Sequence, residues 1–259
     1  MTSTTTTPGS ATTSVALSDV TKVYGRGESA VLALDGVSLD VAPGEFVCLV
    51  GASGCGKSTL LNLVAGLDRP TAGQIDLAGD ANPGLMFQEP ALFPWLTVDA
   101  NVEMPLKLRG LPRAQRRERV AELLRTVHLG EFGRKRPHEL SGGMRQRVAL
   151  ARTLALDTPV LLMDEPFGAL DAMTRDILHD ELERIWSERN LSVLFVTHNV
   201  REAARLADRI ILLSSRPGRI IYSTEVNIPR PRRIDSPEVA AIAADVTERL
   251  RTEVGRHGQ

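Results

Sequence analysis

An α/β fold interrupted by a helical insert is the architecture this sequence predicts, and three observations carry it. Short apolar runs of strand length, at 160–163 and 193–196, are separated by an amphipathic stretch long enough for a helix. A glycine-rich loop at 51–58 joins an apolar run to a helical one, the strand–loop–helix order of an α/β unit. From about residue 90 to 156 the texture shifts to Arg, Glu and Leu at helical spacing.

Taken in order, residues 1–14 are rich in Thr and Ser and read as a disordered tail. Val15–Tyr24 alternates apolar and polar residues as a strand does, 25–30 is a turn, and Val31–Val41 is a second strand region. Pro43-Gly44 turns the chain into the apolar strand at 45–50. A helix is expected from Thr59 to Leu67, broken at 70–73 and followed by a loop at 79–84. Val120, Leu123, Leu124 and Val127 mark a helix within 106–133, and Ser141 is suited to cap the next one. In the stretch 173–188, Ile177, Leu178, Leu182, Ile185 and Trp186 share the inward face, which leaves His179 outward. Segments 210–213 and 220–222 form a short β unit, and 223–259 reads as a proline-bearing linker with a terminal helix at 240–251. The expected division is a tail (1–14), a main domain (15–222, with its insert at about 90–156) and a C-terminal linker and helix (223–259).

Composition limits the function. The 259 residues carry 31 Lys+Arg against 32 Asp+Glu, a net charge of −1, which argues against a surface built to grip nucleic acid. Aromatics at 4% are too few for a base-stacking platform. Two cysteines, Cys48 and Cys55, cannot form a disulfide framework, and a reducing compartment is expected. No apolar run approaches the roughly 20 residues of a membrane span. The expectation is a soluble, cytoplasmic protein, for which any membrane role requires a partner.

Gly51-Ala52-Ser53-Gly54-Cys55-Gly56-Lys57-Ser58 fits G-x-x-x-x-G-K-[ST]. The glycines let backbone N–H groups turn inward around phosphate oxygens, and the helix start adds partial positive charge. Lys57 supplies a point charge for the β- and γ-phosphates, and Ser58 a hydroxyl for Mg²⁺. Only four of the 31 basic residues are lysines, so one placed here marks a need for an ammonium rather than a guanidinium fork. Cys55 reads as a small filler within the loop, and Arg113, Arg116, Arg117 and Arg119 as a solvated helix face.

The apolar run at 160–163 ends in Asp164 and Glu165, at the strand end where open α/β sheets bind ligands. Asp164 suits Mg²⁺, and Glu165 suits the activation of water against a γ-phosphate.

Leu140-Ser141-Gly142-Gly143-Met144 follows, and here the sequence resembles the ATP-binding cassette (ABC) ATPases, whose signature is LSGGQ. The resemblance runs from about Val15 to Tyr222. It implies a RecA-like phosphate-loop NTPase core with an antiparallel β subdomain and an inserted α-helical subdomain, binding ATP and Mg²⁺. It further implies that Ser141, Gly142 and Gly143 grip the γ-phosphate held by a second, identical subunit. Tyr24 matches the aromatic that stacks on adenine, with Thr59 closing the phosphate loop. Gln88 matches the glutamine that touches Mg²⁺ and the attacking water. Asp171 closes the Gly168-Ala169-Leu170-Asp171 loop that crosses between subunits, and His198 matches the switch histidine on the γ-phosphate.

The spacing from Lys57 to Asp164 excludes a long coiled-coil insertion, which favours membrane transport over DNA repair. The segment 87–98, with Trp95, resembles importers of nitrate, sulfonate, taurine and similar solutes, as do 213–220 and 228–232. That resemblance implies a separate permease contacting Phe93 and Trp95, and an extracytoplasmic solute-binding protein. A cassette energising an exporter or a lipoprotein-release complex, and a nucleotide-gated interaction protein, are the alternatives at this point.

Overall fold

The computed structural model describes residues 13–78, 82–168 and 170–257. In chain order the elements are β1 (Val15–Tyr24), β2 (Val31–Val41), β3 (Phe46–Val50), α1 (Lys57–Val64), β4 (Ala72–Leu77) and β5 (Gly84–Met86). Then come α2 (Val98–Leu108), α3 (Arg113–Thr126), α4 (Gly142–Leu154), β6 (Val160–Asp164), α5 (Ala172–Arg189) and β7 (Ser192–Val196). The chain closes with α6 (Val200–Leu206), β8 (Arg209–Leu213), β9 (Ile220–Glu225) and α7 (Pro237–His257).

Two sheets share these strands. The first is antiparallel in the order β2-β1-β4, and the second has the order β5-β6-β7-β3-β8-β9, parallel except for β9. Every residue of β3 is buried, because it lies between β7 and β8 with elements packed on both faces. The order β6-β7-β3 sets three C-terminal strand ends side by side. They release Asp164-Glu165, Thr197-His198 and the glycine loop toward the same edge. The helices α2, α3 and α4 fall between β5 and β6 as the expected insert, with Val120, Leu123, Leu124 and Val127 buried.

Several boundaries differ from expectation, each for a local reason. Residues 1–12 lie outside the described residues, but Ser14 already belongs to the fold: its amide donates to Val41 O at 2.7 Å and its Oγ accepts from Ser192 Oγ at 2.8 Å. The first helix starts at Lys57, not Thr59, because Gly56 adopts φ 106° and turns directly into it. It stops at Val64, ahead of the expected Leu67. β4 carries only a short alternation, Gln74-Ile75-Asp76-Leu77, whose Ile75 and Leu77 pack half-buried on the core, and it pairs with β1, Val15 opposite Leu77. Of the loop expected at 79–84, residues 79–81 lie outside the described residues and Gly84 opens β5. β9 runs to Glu225, three residues beyond the expected end of the main domain. α7 is longer than 240–251, with Pro237 at its first turn and Ser236 Oγ accepting from Val239 N at 3.3 Å. The segment leading to it is pinned by Arg232, whose Nε donates to Ile228 O at 2.8 Å and Nη2 to Val226 O at 2.9 Å.

The face of α5 is the largest correction. Leu178, Leu182 and Ile185 are buried as expected, but Ile177 is exposed and His179 is buried completely. The apolar pattern alone misjudges the helix's rotation, because a carboxylate on α6, Glu202, waits inside to receive the imidazole at 2.6 Å.

Candidate active site

The glycine loop is shaped by close approach to β2. A Cβ at Gly56 would lie 2.7 Å from Leu34 Cδ2 and 3.0 Å from Ala33 O. One at Gly51 would lie 2.8 Å from Cys55 Sγ, so Cys55 fills the floor of the loop as a small buried residue. Lys57 is buried and donates to Gly51 O at 2.8 Å and Ala52 O at 2.9 Å, which holds its ammonium against the loop. The first turn of α1 carries no acidic residue, so its N-terminus keeps an uncompensated partial positive charge.

Across β7, Asp164 faces Ser58, and burial pushes its carboxyl above the usual range. Ser58 and Lys57 pull the other way and Glu165 adds to the rise. Glu165 sits at φ 43°, a conformation few non-glycine residues hold. Its amide donates to Val196 O at 2.9 Å and its carbonyl accepts from Gly168 N at 3.2 Å, bonds that fix this turn. The side chain projects from the strand end and meets His198 Nδ1 at 2.8 Å.

A cleft of about 530 Å³ brings Tyr24, Ser53, Gly54, Gly56, Lys57, Ser58, Thr59, Gln88 and Glu165 together. These come from β1, the loop, α1, the segment after β5 and the end of β6, elements far apart in sequence. Two residues that the motifs did not single out lie here, Arg216 in the lining and Lys22 outside it, beside Tyr24. Arg216 lines the cleft and its Nη2 lies 3.4 Å from Gly54 O. Lys22 sits 4.9 Å from the Tyr24 ring centre, its ammonium held by Asp68 Oδ1 at 2.7 Å and Arg69 O at 2.8 Å. Lysine scarcity was a usable signal for Lys22; nothing local pointed to Arg216.

Ser141, Gly142, Gly143 and Asp171 are not among the residues lining this cleft. They gather elsewhere, where α4 and α5 begin: a Cβ on Gly143 would lie 3.0 Å from Thr174 Cγ2. Ser141 Oγ accepts from Met144 N at 3.2 Å and Asp171 Oδ1 from Thr174 N at 3.0 Å, each capping its own helix. The flanking Ala169 lies outside the described residues. One chain therefore carries a phosphate-loop half and a separate helix-start half.

The donor set suits a hard cation. Ser58, Gln88 and Asp164 offer oxygen ligands, Ser58 stands near enough to act on the Asp164 carboxyl, and Mg²⁺ characteristically takes one or two protein oxygens beside phosphate. Among the described residues no cluster of three His, Cys, Asp or Glu competes as a metal cage.

Beside Gln88, Phe93 and Trp95 pair at a 5.5 Å ring separation, and Trp95 is 66% exposed. Buried Asn101 fastens the backbone beneath them, accepting from Phe93 N at 2.9 Å and donating to Phe93 O at 3.2 Å. Of the arginine face on α3, Arg116 pairs with Glu103 and Arg119 with Glu122, so it is partly neutralised.

A family model described as ABC transporter matches residues 34–168. The chain is 44% identical over 242 residues to an uncharacterized ABC transporter ATP-binding protein of Methanocaldococcus jannaschii, covering 91% of each. It is 48% identical over 219 residues to the nitrate import ATP-binding protein NrtD of Synechocystis sp., covering 82% of each. It is 47% identical over 229 residues to the bicarbonate transport ATP-binding protein CmpC of Synechococcus elongatus, covering 85% of this chain and 34% of that longer one. Among solved structures, a dimeric ATP-binding cassette in a post-hydrolysis state with ADP and Pi matches with a TM-score of 0.76 at 35% identity. That match covers 83% of this chain and 100% of the other.

Proposed function

The chain belongs to the ABC transporter family, and on that premise we propose how its residues divide the work and what it moves. It is an ATP-binding subunit whose ATPase activity is coupled to transport. The observation that carries the residue assignments is the cleft itself, which joins Tyr24, the phosphate loop, Gln88 and Glu165, with His198 bonded to Glu165.

In this reading Tyr24 stacks on adenine while the amides of 51–59 and the Lys57 ammonium hold the phosphate oxygens. Ser58, Asp164 and Gln88 would hold Mg²⁺, which supplies charge neutralisation on the β- and γ-phosphates. Glu165 takes a proton from the attacking water, and its constrained backbone aims the carboxylate before substrate arrives. His198 holds the γ-phosphate oxygens and keeps Glu165 in place. Ser141, Gly142 and Gly143 complete the site of a second copy, Asp171 lies at the crossing between copies, and the dimeric cassette structure supports that pairing.

The cargo is a small solute such as nitrate, a sulfonate or taurine, imported through a separate permease fed by an extracytoplasmic binding protein. The relative named for nitrate import supports import over export, and the one named for bicarbonate transport supports a small anionic solute. Phe93 and Trp95 receive the permease, which holds the chain at the cytoplasmic membrane face; no described helix is long and apolar enough to cross a membrane. Proteoliposomes bearing this chain with its permease test the direction. Solute moving away from the ATPase side upon ATP addition would contradict import.

A further inference from the structure

The buried polar groups of α5 and α6 lie outside the cleft, yet they end beside it. His179 and Glu202 are buried, 0% and 5% exposed, and His179 Nε2 lies 2.6 Å from Glu202 Oε1. The other carboxylate oxygen of Glu202 accepts from the Thr197 hydroxyl, and Thr197 Oγ1 accepts in turn from Asn199 N at 3.0 Å. With Glu202 accepting at both oxygens, His179 is assigned the tautomer that donates from Nε2. His179 Nδ1 has no hydrogen-bond partner; the nearest acid, Asp176 Oδ1, stands 3.9 Å away.

A buried carboxylate with an incompletely satisfied imidazole is a costly way to join two helices, since an apolar pair of similar volume would pack there at lower cost. What distinguishes the arrangement is where it leads. Thr197 directly precedes His198, and its amide is tied to Leu49 O at 3.2 Å on the β3 side. The backbone that carries His198 is therefore clamped from the sheet by Leu49 and from α6 by Glu202. His198 itself is largely exposed, and its ring Nδ1 is bonded to Glu165. At the other end His179 packs edge-on against Phe167, two residues after Glu165, with ring centres 5.4 Å apart.

We propose that the chain His179–Glu202–Thr197 is a positioning device that holds His198 in line with Glu165. Glu202 and His179 are positioning residues in this scheme, acting through Thr197, and the proposal rests on the reading of His198 as the γ-phosphate contact. Because Asp171 caps the start of α5, the device also ties the His198 turn to the helix that begins at the subunit crossing.

The test is single-turnover ATP hydrolysis by the full chain, with rate and nucleotide affinity measured separately. His179→Leu should lower the rate about tenfold, as a small misplacement of a reacting group does, with affinity for ATP unchanged within about twofold. His179→Gln, whose amide can still donate to Glu202, should restore the rate to within about threefold of wild type. In a His198→Ala background, His179→Leu should cause no further loss, because the two act as one unit. An additive loss there, or an unchanged rate for His179→Leu alone, would overturn the inference. If His198→Ala by itself leaves hydrolysis intact, the reading of His198 falls, an outcome visible before any His179 variant is compared. Should His179→Leu fail to fold, Thr197→Val severs the same chain at its other end and is held to the same non-additive loss.

Discussion

Gln146 donates its side-chain amide to the main-chain carbonyl of Gln88 at 2.7 Å, linking the helix that begins at Gly142 to the cleft-lining segment after β5. Arg152, two turns further along α4, grips the same segment at Ala91 O (2.7 Å) and Pro90 O (2.9 Å) and lies over the Phe93 ring. Gln88, the Phe93–Trp95 pair and the start of α4 are thereby fastened to one another.

Gln146→Leu should loosen that fastening. Loss of one buried hydrogen bond predicts a stability cost of about 1 kcal/mol, read by denaturant unfolding. ATP turnover in the presence of permease should fall several-fold more than nucleotide affinity. Equal losses in both would place Gln146 in general packing.

Mixing Lys57→Ala subunits with Ser141→Arg subunits tests the two-half arrangement. Each variant alone spoils both sites of a homodimer, while the mixture restores one intact pairing of phosphate loop and helix start. Recovery of trapped nucleotide in the mixture is the expected result. No recovery, with both variants folded and dimerising, would contradict a site shared between copies.

Trp95 provides its own reporter. Trp186 is packed on Phe46, donates to Gly44 O at 3.0 Å and lies under the Arg230 guanidinium, so Trp186→Phe leaves a single exposed indole. Adding permease should shift or quench Trp95 emission, and Trp95→Ala should lower solute moved per ATP hydrolysed by about fivefold, as loss of an interface anchor does. Unfolding of Trp95→Ala would instead assign the residue to the insert's own packing.

Burial holds the Asp164 carboxyl above its ordinary range, so ionising it costs the fold more than it costs the unfolded chain. Asp164→Asn should therefore raise the thermal midpoint at about pH 7 in EDTA, by roughly 2–4 °C for each kcal/mol relieved. The gain should shrink as pH falls through the raised native value toward the unfolded value of about 3.9, where both states bind the proton. A gain that grows on acidification would contradict the direction of the shift.

The phosphate loop, the Asp164-Glu165 pair and the Ser141 cap were readable because each is a short contiguous pattern whose chemistry is local. Two adjacent strand ends and a helix start need no knowledge of distant chain. β4 was missed because its alternation spans only Gln74 to Leu77, directly after a Pro/Gly break; pairing with β1 extends it into a six-residue strand. His179 was misplaced for a related reason: its partner Glu202 stands 23 residues away on another helix. Arg216 belongs to the cleft only because the β8–β9 turn folds behind Gly54. Side chains whose roles depend on a tertiary neighbour leave no mark in a local pattern.

The central claim is that Glu165 activates water in an ATPase cleft, and ATP hydrolysis by Glu165→Gln tests it most directly. The variant should bind MgATP normally, lose turnover by about 10²–10⁴-fold and accumulate as a nucleotide-bound dimer. Steady-state hydrolysis within about threefold of wild type would contradict the account, because a general base cannot be removed at so small a cost.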